Sequence, residues 1–516
     1  MRILFLFILI LFILPSASGQ WSFIHYQLFD INNISTPVTN IGQLDQATIP
    51  MAITGGFEWP KGSGHVAVYA SLPWLAAKVN GEVRTSAREY SSTYNPGPMD
   101  TNTHHGADRR DSLYRVYKIE RHEVTSRDYQ HWPSSLGAPV RSDGTPQLMG
   151  DQTLWCVYNC ADSSLPMPFD SKPLGVEVQQ TVFGFASLGG LFKNLMLIRY
   201  LLINKSMFQM DSMYFGYWSD PDIGDSGDDR DGCDSTLSLW FCYNATDSDA
   251  VYGLHPPAVG YCTVQGPRVV SGNDTAFFKG SRISGYKNLP MTSFMVWPND
   301  GWSNPRTAAN IYRYFQLTWW ATGKPVTYGG IGTDSLARPT RYMYSGDPES
   351  GTGWLSTFSR HEFSGCGPFS MTPGDTQEVV MGILVSRGTS NTNSVTKLRN
   401  EIRVLRDIYA DSLYKIFVPQ KVDVPPVIPD LYELAQNFPN PFNAGTEIRF
   451  SLPIDAQITL TIYNVLGQHM AVLASGRYPA GSYTVRWEPA TAASGIYFYQ
   501  LNAGRYIASR KMLVLK

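Results

Sequence analysis

Strict alternation of apolar and polar residues marks the C-terminal part of the chain. The apolar positions fall in three runs, at Ile448–Leu452, Ile458–Ile462 and Tyr483–Trp487, with turn residues between them. A period of two is typical of strands with one buried face. Short strands at this spacing predict an immunoglobulin-like β-sandwich over residues 431–516.

The preceding part of the chain has longer strand patterns and few helical ones. Gly175–Phe185 and Asn194–Asn204 read as long central strands, which favour one large sandwich. A helical period is present at Pro305–Trp320 and from Ser394 to Phe417. We therefore predict a mainly β protein: a large β-sandwich-like body with one or two helices, followed by a small immunoglobulin-like β-sandwich.

The ends of these parts carry their own signals. Met1 and Arg2 precede an apolar run and a small-residue stretch that ends at Gly19, a pattern that predicts a signal peptide at residues 1–19. The β-rich body follows at residues 20–417. A stretch with several prolines predicts a stiff linker at 418–430, before the C-terminal module.

The C-terminal module contains several motifs in a fixed order. They are Phe438–Asn443, Ile462–Gln468, Ala480–Tyr483, Ser494–Tyr499 and Arg510–Lys516. Together they resemble the type A C-terminal sorting domain of the type IX secretion system. The resemblance implies recognition by the secretion machinery and export across a Gram-negative outer membrane. It also implies that the module is usually removed and the rest anchored at the surface or released.

A second resemblance concerns the body. The run Trp218–Asp234, followed by Leu237–Leu239 and Val259–Tyr261, is similar to a segment of uncharacterised exported proteins that carry the same sorting domain. It implies the same location and no particular chemistry.

Composition narrows the class of protein. The net charge of −2 and the pI near 6.5 argue against a nucleic-acid binder, which would carry a basic surface. Beyond the N-terminus no stretch is apolar enough to span a bilayer, so we expect no transmembrane segment in the mature chain. The expected location is the medium or the outer-membrane exterior, reached through the periplasm.

An acidic segment is the main candidate for chemistry. Between Asp220 and Asp234, seven aspartates accompany one arginine. Oxygen ligands on a glycine-containing loop suit Ca²⁺, and a solvated acidic turn is the alternative. The segment is not an EF-hand, because its sixth and twelfth positions are aspartates. The predicted ligands are Asp220, Asp222, Asp225, Asp228 and Asp229.

The six cysteines, at positions 156, 160, 233, 242, 262 and 366, leave several interpretations open. An oxidising compartment permits disulfides, and the sequence does not choose among the pairings. A zinc site is the alternative, although the chain has no Cys-x-x-Cys pair.

Catalytic motifs are missing from the sequence. Neither His122-Glu123 nor His361-Glu362 continues as His-Glu-x-x-His, and no Gly-x-Ser-x-Gly elbow occurs. A carboxylate pair drawn from Glu58, Glu362 and Glu378 stays compatible with a glycosidase. Trp297, Trp302, Trp319 and Trp320 are candidates either for a sugar-binding surface or for the core.

We therefore predict a non-catalytic exported protein with a structural, adhesive or ligand-binding role. The alternative is a secreted polysaccharide-active hydrolase or a carbohydrate-binding protein. The expected partners are the type IX machinery and surface polysaccharide or other surface proteins.

Overall fold

The chain divides into two compact units, Met1–Gln420 and Lys421–Lys516. The computed structural model describes residues 23–45, 56–90, 92–161, 171–297, 305–319, 322–329, 338–359, 361–419, 429, 431–489 and 492–515. The predicted signal peptide lies outside the described residues, and so does most of the predicted linker 418–430.

Strands make up most of both units. In the first unit they are β1 (Tyr26–Phe29), β2 (Thr36–Thr39), β3 (Phe57–Glu58), β4 (Val66–Val79), β5 (Glu82–Ser86), β6 (Asn95–Pro96), β7 (Tyr117–Glu120), β8 (Gln152–Asn159), β9 (Val176–Gly184), β10 (Leu195–Asn204), β11 (Met210–Pro221), β12 (Asp229–Asp234), β13 (Leu239–Asn244), β14 (Ser248–Asp249), β15 (Gly253–Leu254), β16 (Ala258–Gln265), β17 (Arg268–Phe278), β18 (Ser281–Asn288), β19 (Ser293–Trp297), β20 (His361–Met371) and β21 (Thr376–Ser386). In the second they are β22 (Glu433–Leu434), β23 (Thr446–Leu452), β24 (Ala456–Asn464), β25 (His469–Tyr478), β26 (Gly481–Trp487), β27 (Gly495–Ala503) and β28 (Tyr506–Val514).

The α-helices of the described residues all belong to the first unit. They are α1 (Arg127–Gln130), α2 (Ala308–Phe315) and α3 (Asn391–Asp411). None of them has the length and apolar character that crossing a bilayer requires.

Two antiparallel sheets organise the first unit. The larger has nine strands in the order β12-β13-β16-β21-β10-β9-β8-β6, with β7 also paired to β8. The smaller has six strands in the order β19-β20-β11-β4-β3, with β5 also paired to β4. Three two-stranded ribbons, β1-β2, β14-β15 and β17-β18, accompany these sheets.

One aromatic core joins the facing sides of the two sheets. Tyr217 on β11 packs against Trp240 and Tyr261 of the larger sheet, with ring centroids 6.4 and 6.0 Å apart. Tyr200 on β10 and Phe215 on β11 are 5.4 Å apart. Burying each large apolar side chain contributes about 1.5–3 kcal/mol. The expected mainly β, sandwich-like body is thus confirmed.

Helices cover the outer faces of both sheets. On the larger sheet, α3 buries Leu398, Ile402 and Leu405. On the smaller sheet, α2 places Phe315 against Phe363, with ring centroids 4.7 Å apart. Each helix therefore packs its apolar stripe against the sheet and leaves its polar side outward.

The second unit is a small sandwich of a three-stranded and a four-stranded sheet. Their orders are β22-β23-β26 and β25-β24-β27-β28. On β23 the side chains of Ile448, Phe450 and Leu452 are buried, whereas Glu447 and Arg449 are exposed. The alternation in the sequence therefore predicts this strand correctly, and an immunoglobulin-like connectivity stays a prediction.

Candidate functional site

The acidic segment passes from one sheet of the first unit to the other. Asp220 belongs to the end of β11, in the six-stranded sheet. Asp229 begins β12, the edge strand of the nine-stranded sheet. Only the residues between these strands form a turn, with a 3₁₀ helix at Ser226–Asp228. The loop is shorter than expected because Asp229–Asp234, the last part of the acidic segment, pairs with β13 as strand β12.

Backbone amides satisfy the carboxylates that shape this turn. Asp249 accepts hydrogen bonds from the N–H groups of Asp225 at 3.0 Å and Tyr252 at 2.5 Å. Asp225 in turn accepts from the N–H of Gly227 at 3.1 Å. Gly224 has a φ of +65°, and a Cβ there would lie 2.2 Å from Asp249 Oδ1. The turn therefore requires glycine at this position.

The five aspartates predicted to bind Ca²⁺ lie in different surroundings, although Asp222 acts electrostatically both on Tyr90, beside Asp220, and on Asp229. Asp222 and Asp228 act electrostatically on Asp229, together with Asp231. Asp220 instead accepts a hydrogen bond from Tyr90. Across the described ranges, no group of three or more His, Cys, Asp or Glu side chains is arranged to hold a metal ion. A calcium site at this segment stays a prediction.

A cluster of buried carboxyl groups lies behind the turn. Asp229, Asp231 and Glu362 are almost completely buried. Ser359 donates to Asp231 Oδ1 at 2.6 Å, and Ser219 donates to Glu362 Oε2 at 3.3 Å. Burial, followed by the charge of Asp231, raises the pKa of Glu362 well above its usual value, and burial does the same to the pKa of Asp229. Asp229 and Glu362 therefore ionise less readily than exposed carboxyls.

Tyr90 connects the other end of the acidic segment to a buried histidine. Its hydroxyl donates to Asp220 Oδ2 at 2.7 Å and lies 2.5 Å from His361 Nε2. On the far side of the imidazole, Nδ1 is 3.5 Å from Glu89 Oε1. The ring packs against Trp218, with centroids 5.2 Å apart. Burial and then the charge of Asp220 raise the pKa of Tyr90, so the phenol stays a hydrogen-bond donor.

Sequence reasoning missed this network of Tyr90, His361, Asp220 and Glu89. Tyr90 and His361 are 271 residues apart, so no motif spacing connects them. The one available signal was the His361-Glu362 pair. Neighbouring residues of a strand point to opposite faces of the sheet. His361 therefore contacts Tyr90, whereas Glu362 contacts Ser219.

The glutamates considered for a hydrolase have other roles. Glu378 forms an ion pair with Arg199 at 2.6 Å, and its side chain is fully buried. Glu362 is equally buried, whereas Glu58 accepts a hydrogen bond from the N–H of Gly64 at 2.6 Å. Glu362 and Glu378 are therefore unsuited to contact a polymeric substrate.

The tryptophans proposed for sugar binding do not form a described surface. Trp297 is completely buried and packs against Tyr314, with ring centroids 5.0 Å apart. Trp319 is half-buried against the core. Trp302 and Trp320 lie outside the described residues. Trp297 therefore belongs to the core.

All six cysteines are buried free thiols. Burial raises the pKa of each thiol, for example to about 11 at Cys160 and to about 12 at Cys262. Because the thiolate is the reactive and metal-binding form, these side chains are chemically inert in the folded protein.

These observations define a mainly β protein whose second unit is a small C-terminal sandwich. Residues 436–515 match the family model described as "Secretion system C-terminal sorting domain". The chain therefore ends in a sorting domain of the type IX system, as its motifs predicted. The match lies within the second unit, Lys421–Lys516.

Comparisons with whole proteins add little. The search of curated proteins found no match. Among solved structures, one described as a polysaccharide lyase is 8% identical, with a TM-score of 0.19, over 68% of this chain and 37% of that one. Another, dimeric latent PorU from Porphyromonas gingivalis, is 9% identical, with a TM-score of 0.14, over 95% of this chain and 34% of that one. The chain thus spans little more than a third of either structure, and similarity at this level establishes no shared fold or activity.

Proposed function

We propose that this protein is a secreted or cell-surface protein whose body has a structural, adhesive or ligand-binding role. The sorting domain at residues 436–515 carries the proposal, because it directs export by the type IX system. A signal peptide at residues 1–19 would first deliver the chain to the periplasm. The secretion machinery then moves the body to the exterior of the outer membrane.

The proposed role of the body is non-catalytic. Support comes from Glu362 and Glu378, which are buried and serve internal contacts. A hydrolase instead needs two carboxyl groups on either side of a bound substrate. A carbohydrate-binding role is the second candidate, favoured by a cleft of about 650 Å³ in the first unit whose lining contains four arginines.

The proposal includes Ca²⁺ at the acidic segment, and calorimetric titration of the purified protein tests it. A site filled at about a hundred times its dissociation constant raises the free energy of unfolding by about 2.7 kcal/mol. We expect Asp222→Asn with Asp225→Asn to abolish this gain, and Asp274→Asn, on the β17-β18 ribbon, to retain it. A melting temperature unchanged by calcium and by chelator would contradict the ion site.

Export is tested by removing the second unit. In a host with a type IX system, we expect the full-length protein outside the cell and a chain that ends at Gln420 in the periplasm. The location is measured by fractionation and by protease accessibility on intact cells. The first unit has its own core, so the truncated chain should resist limited proteolysis as the full-length protein does.

A gain-of-function control separates loss of the signal from loss of folding. Residues 421–516 fused to an unrelated periplasmic protein should carry that protein out of the cell. Export of the truncated chain, or retention of the fusion in the periplasm, would contradict the assigned role of the sorting domain.

A further inference from the structure

A cleft of about 650 Å³ opens in the first unit, away from the acidic segment. Asn40 and three stretches line it: residues 23–27, residues 109–117, and residues from α1 and the position after it. Its volume lies within the roughly 300–1,000 Å³ that is usual for ligand sites. We call it the arginine cleft, because its charged lining consists of Arg109, Arg110, Arg115, Arg127, Asp111 and Asp128, with His25 and His131 beside them.

One of the two aspartates in this lining is already neutralised. Asp128 forms an ion pair with Arg115 at 2.5 Å, and its second oxygen accepts a hydrogen bond from the N–H of Lys118 at 2.8 Å. The guanidinium of Arg115 lies over the ring of Tyr117, 3.9 Å from its centroid. Arg115 and Asp128 therefore form a fixed wall. Because Arg110 is paired with Asp108 just outside the lining, Arg109 and Arg127 against Asp111 give the rest of the cleft a small positive charge.

The remaining arginines differ in how far they are already engaged. In the part of the chain that the structure describes, Arg109 and Arg127 form no ion pair. Arg109 lies over Phe23, 4.7 Å from the ring centroid, and donates to Asn95 Oδ1 at 3.4 Å. Arg110 donates to both oxygens of Asp108, at 3.0 and 2.9 Å, but both side chains are more than half exposed. An exposed pair of this kind is weak enough to exchange its partner for a bound anion.

The floor of the cleft offers an oriented neutral donor. The N–H of Val116 donates to His25 Nδ1 at 3.2 Å. This bond makes Nδ1 an acceptor and leaves the hydrogen on Nε2. Burial and then the charge of Arg115 lower the pKa of His25, which favours the same neutral form. Beside it, Phe23 and Tyr114 supply half-buried aromatic rings, whereas Tyr117 is buried beneath Arg115.

We propose that the arginine cleft binds an acidic polysaccharide, with Arg109, Arg110 and Arg127 on its carboxylate or sulfate groups. Guanidinium groups match these anions through paired hydrogen bonds. Aromatic rings beside charged groups suit the apolar faces of sugar rings. The choice of a polysaccharide rests on the proposed function, because export brings the cleft into contact with extracellular polymers.

Titration calorimetry on the purified full-length protein tests this site. The probes are polygalacturonate for carboxylates, dextran sulfate for sulfates, neutral dextran and polyglutamate. We expect binding of at least one acidic polysaccharide, and binding of neutral dextran and polyglutamate at least tenfold weaker. Equal affinity for polyglutamate would overturn the polysaccharide assignment. Equal affinity for dextran would overturn the role of the arginines.

Exposed arginines provide the matched variants. We expect Arg110→Ala with Arg127→Ala to lower the affinity for the preferred polymer at least tenfold. Arg403→Ala, on the exposed side of α3 and outside the cleft, should change it less than twofold. All variants should melt within a degree or two of the wild type, because none of these side chains is buried. Arg110→Lys with Arg127→Lys keeps the charge but loses the paired hydrogen bonds, so its affinity should be intermediate.

The two proposals fail in different ways. Binding is measured on purified protein and needs no secretion. A chain that is exported but binds none of the acidic polymers, or binds them equally in the arginine variant, overturns the cleft assignment alone. A chain that binds them but stays in the periplasm overturns the proposed export alone.

Discussion

Asp45 is fully buried, and the hydroxyl groups of Thr36 and Ser71 donate to its two carboxylate oxygens. Burial raises the pKa of this carboxyl to about 7, although the two hydroxyl groups act in the opposite direction. The pKa of an unfolded aspartate is about 3.9. Between these values the folded protein holds a proton that the unfolded chain has lost. The free energy of unfolding therefore falls as the pH rises through this window.

Asp45→Asn should remove this pH dependence. From about pH 4 to about pH 7, we expect the free energy of unfolding of the wild type to fall by up to about 4 kcal/mol more than that of the variant. Urea unfolding at both pH values measures the difference. Other buried carboxyls contribute equally to both proteins and cancel. Asp411→Asn, at an exposed position, should keep the wild-type slope, and a wild-type slope in Asp45→Asn would contradict the explanation.

The candidate site was only partly predictable, because strand register decides where each carboxyl points. The density of aspartates between Asp220 and Asp234 is visible in the sequence. Which of these aspartates are buried is not visible in the sequence. Asp229 and Asp231 turn inward only when β12 pairs with β13 in the observed register. A shift by one residue would expose both. The partner of Asp231, Glu362, comes from a strand that is distant in sequence.

At the scale of elements, strand patterns were the reliable signal and helix ends were not. The almost wholly apolar run expected to be a strand at Asn194–Asn204 is β10, Leu195–Asn204. The helix expected at Pro305–Trp320 is only Ala308–Phe315. It begins late because Thr307 and Asn310 form a capping box. This cap lies two residues after the expected start at Pro305.

The pair Arg199–Glu378 joins two neighbouring strands, β10 and β21, inside the nine-stranded sheet. Glu378→Ala would leave the Arg199 guanidinium buried without its carboxylate, and we expect a loss of about 3–5 kcal/mol in the free energy of unfolding. Replacing both residues, as Arg199→Met with Glu378→Leu, should restore most of it. Chemical denaturation measures all three proteins.

An exposed ion pair provides the comparison for that loss. Asp108→Ala removes the partner of Arg110 at the surface, where water replaces the lost contact, so its unfolding curve should match the wild type. Equal effects of Asp108→Ala and Glu378→Ala would show that burial is not the cause. If Glu378 served only as a catalytic carboxylate, Glu378→Ala would also leave the free energy of unfolding unchanged.

For the whole molecule, the sequence indicated the division more clearly than the role of each part. A proline-containing stretch, and a change from a helical to an alternating pattern of apolar residues, marked the start of the second unit. Its motifs identified it as a sorting domain, because one secretion machinery must recognise that surface. The first unit offered no such motif. Its candidate ligand site collects residues 23–27, 109–117 and 127–131, and only the folded chain brings those stretches together.

The buried thiols have a consequence for the route the chain takes. All six cysteines belong to the first unit, and each is enclosed only once that unit has folded. On the proposed route through an oxidising periplasm, an unfolded chain would expose six reactive thiols, and any two could be joined in a pairing that the native sheets do not accommodate. Folding would then compete with oxidation on that route. A first unit that folds before oxidation would keep its thiols enclosed in its own core and reduced.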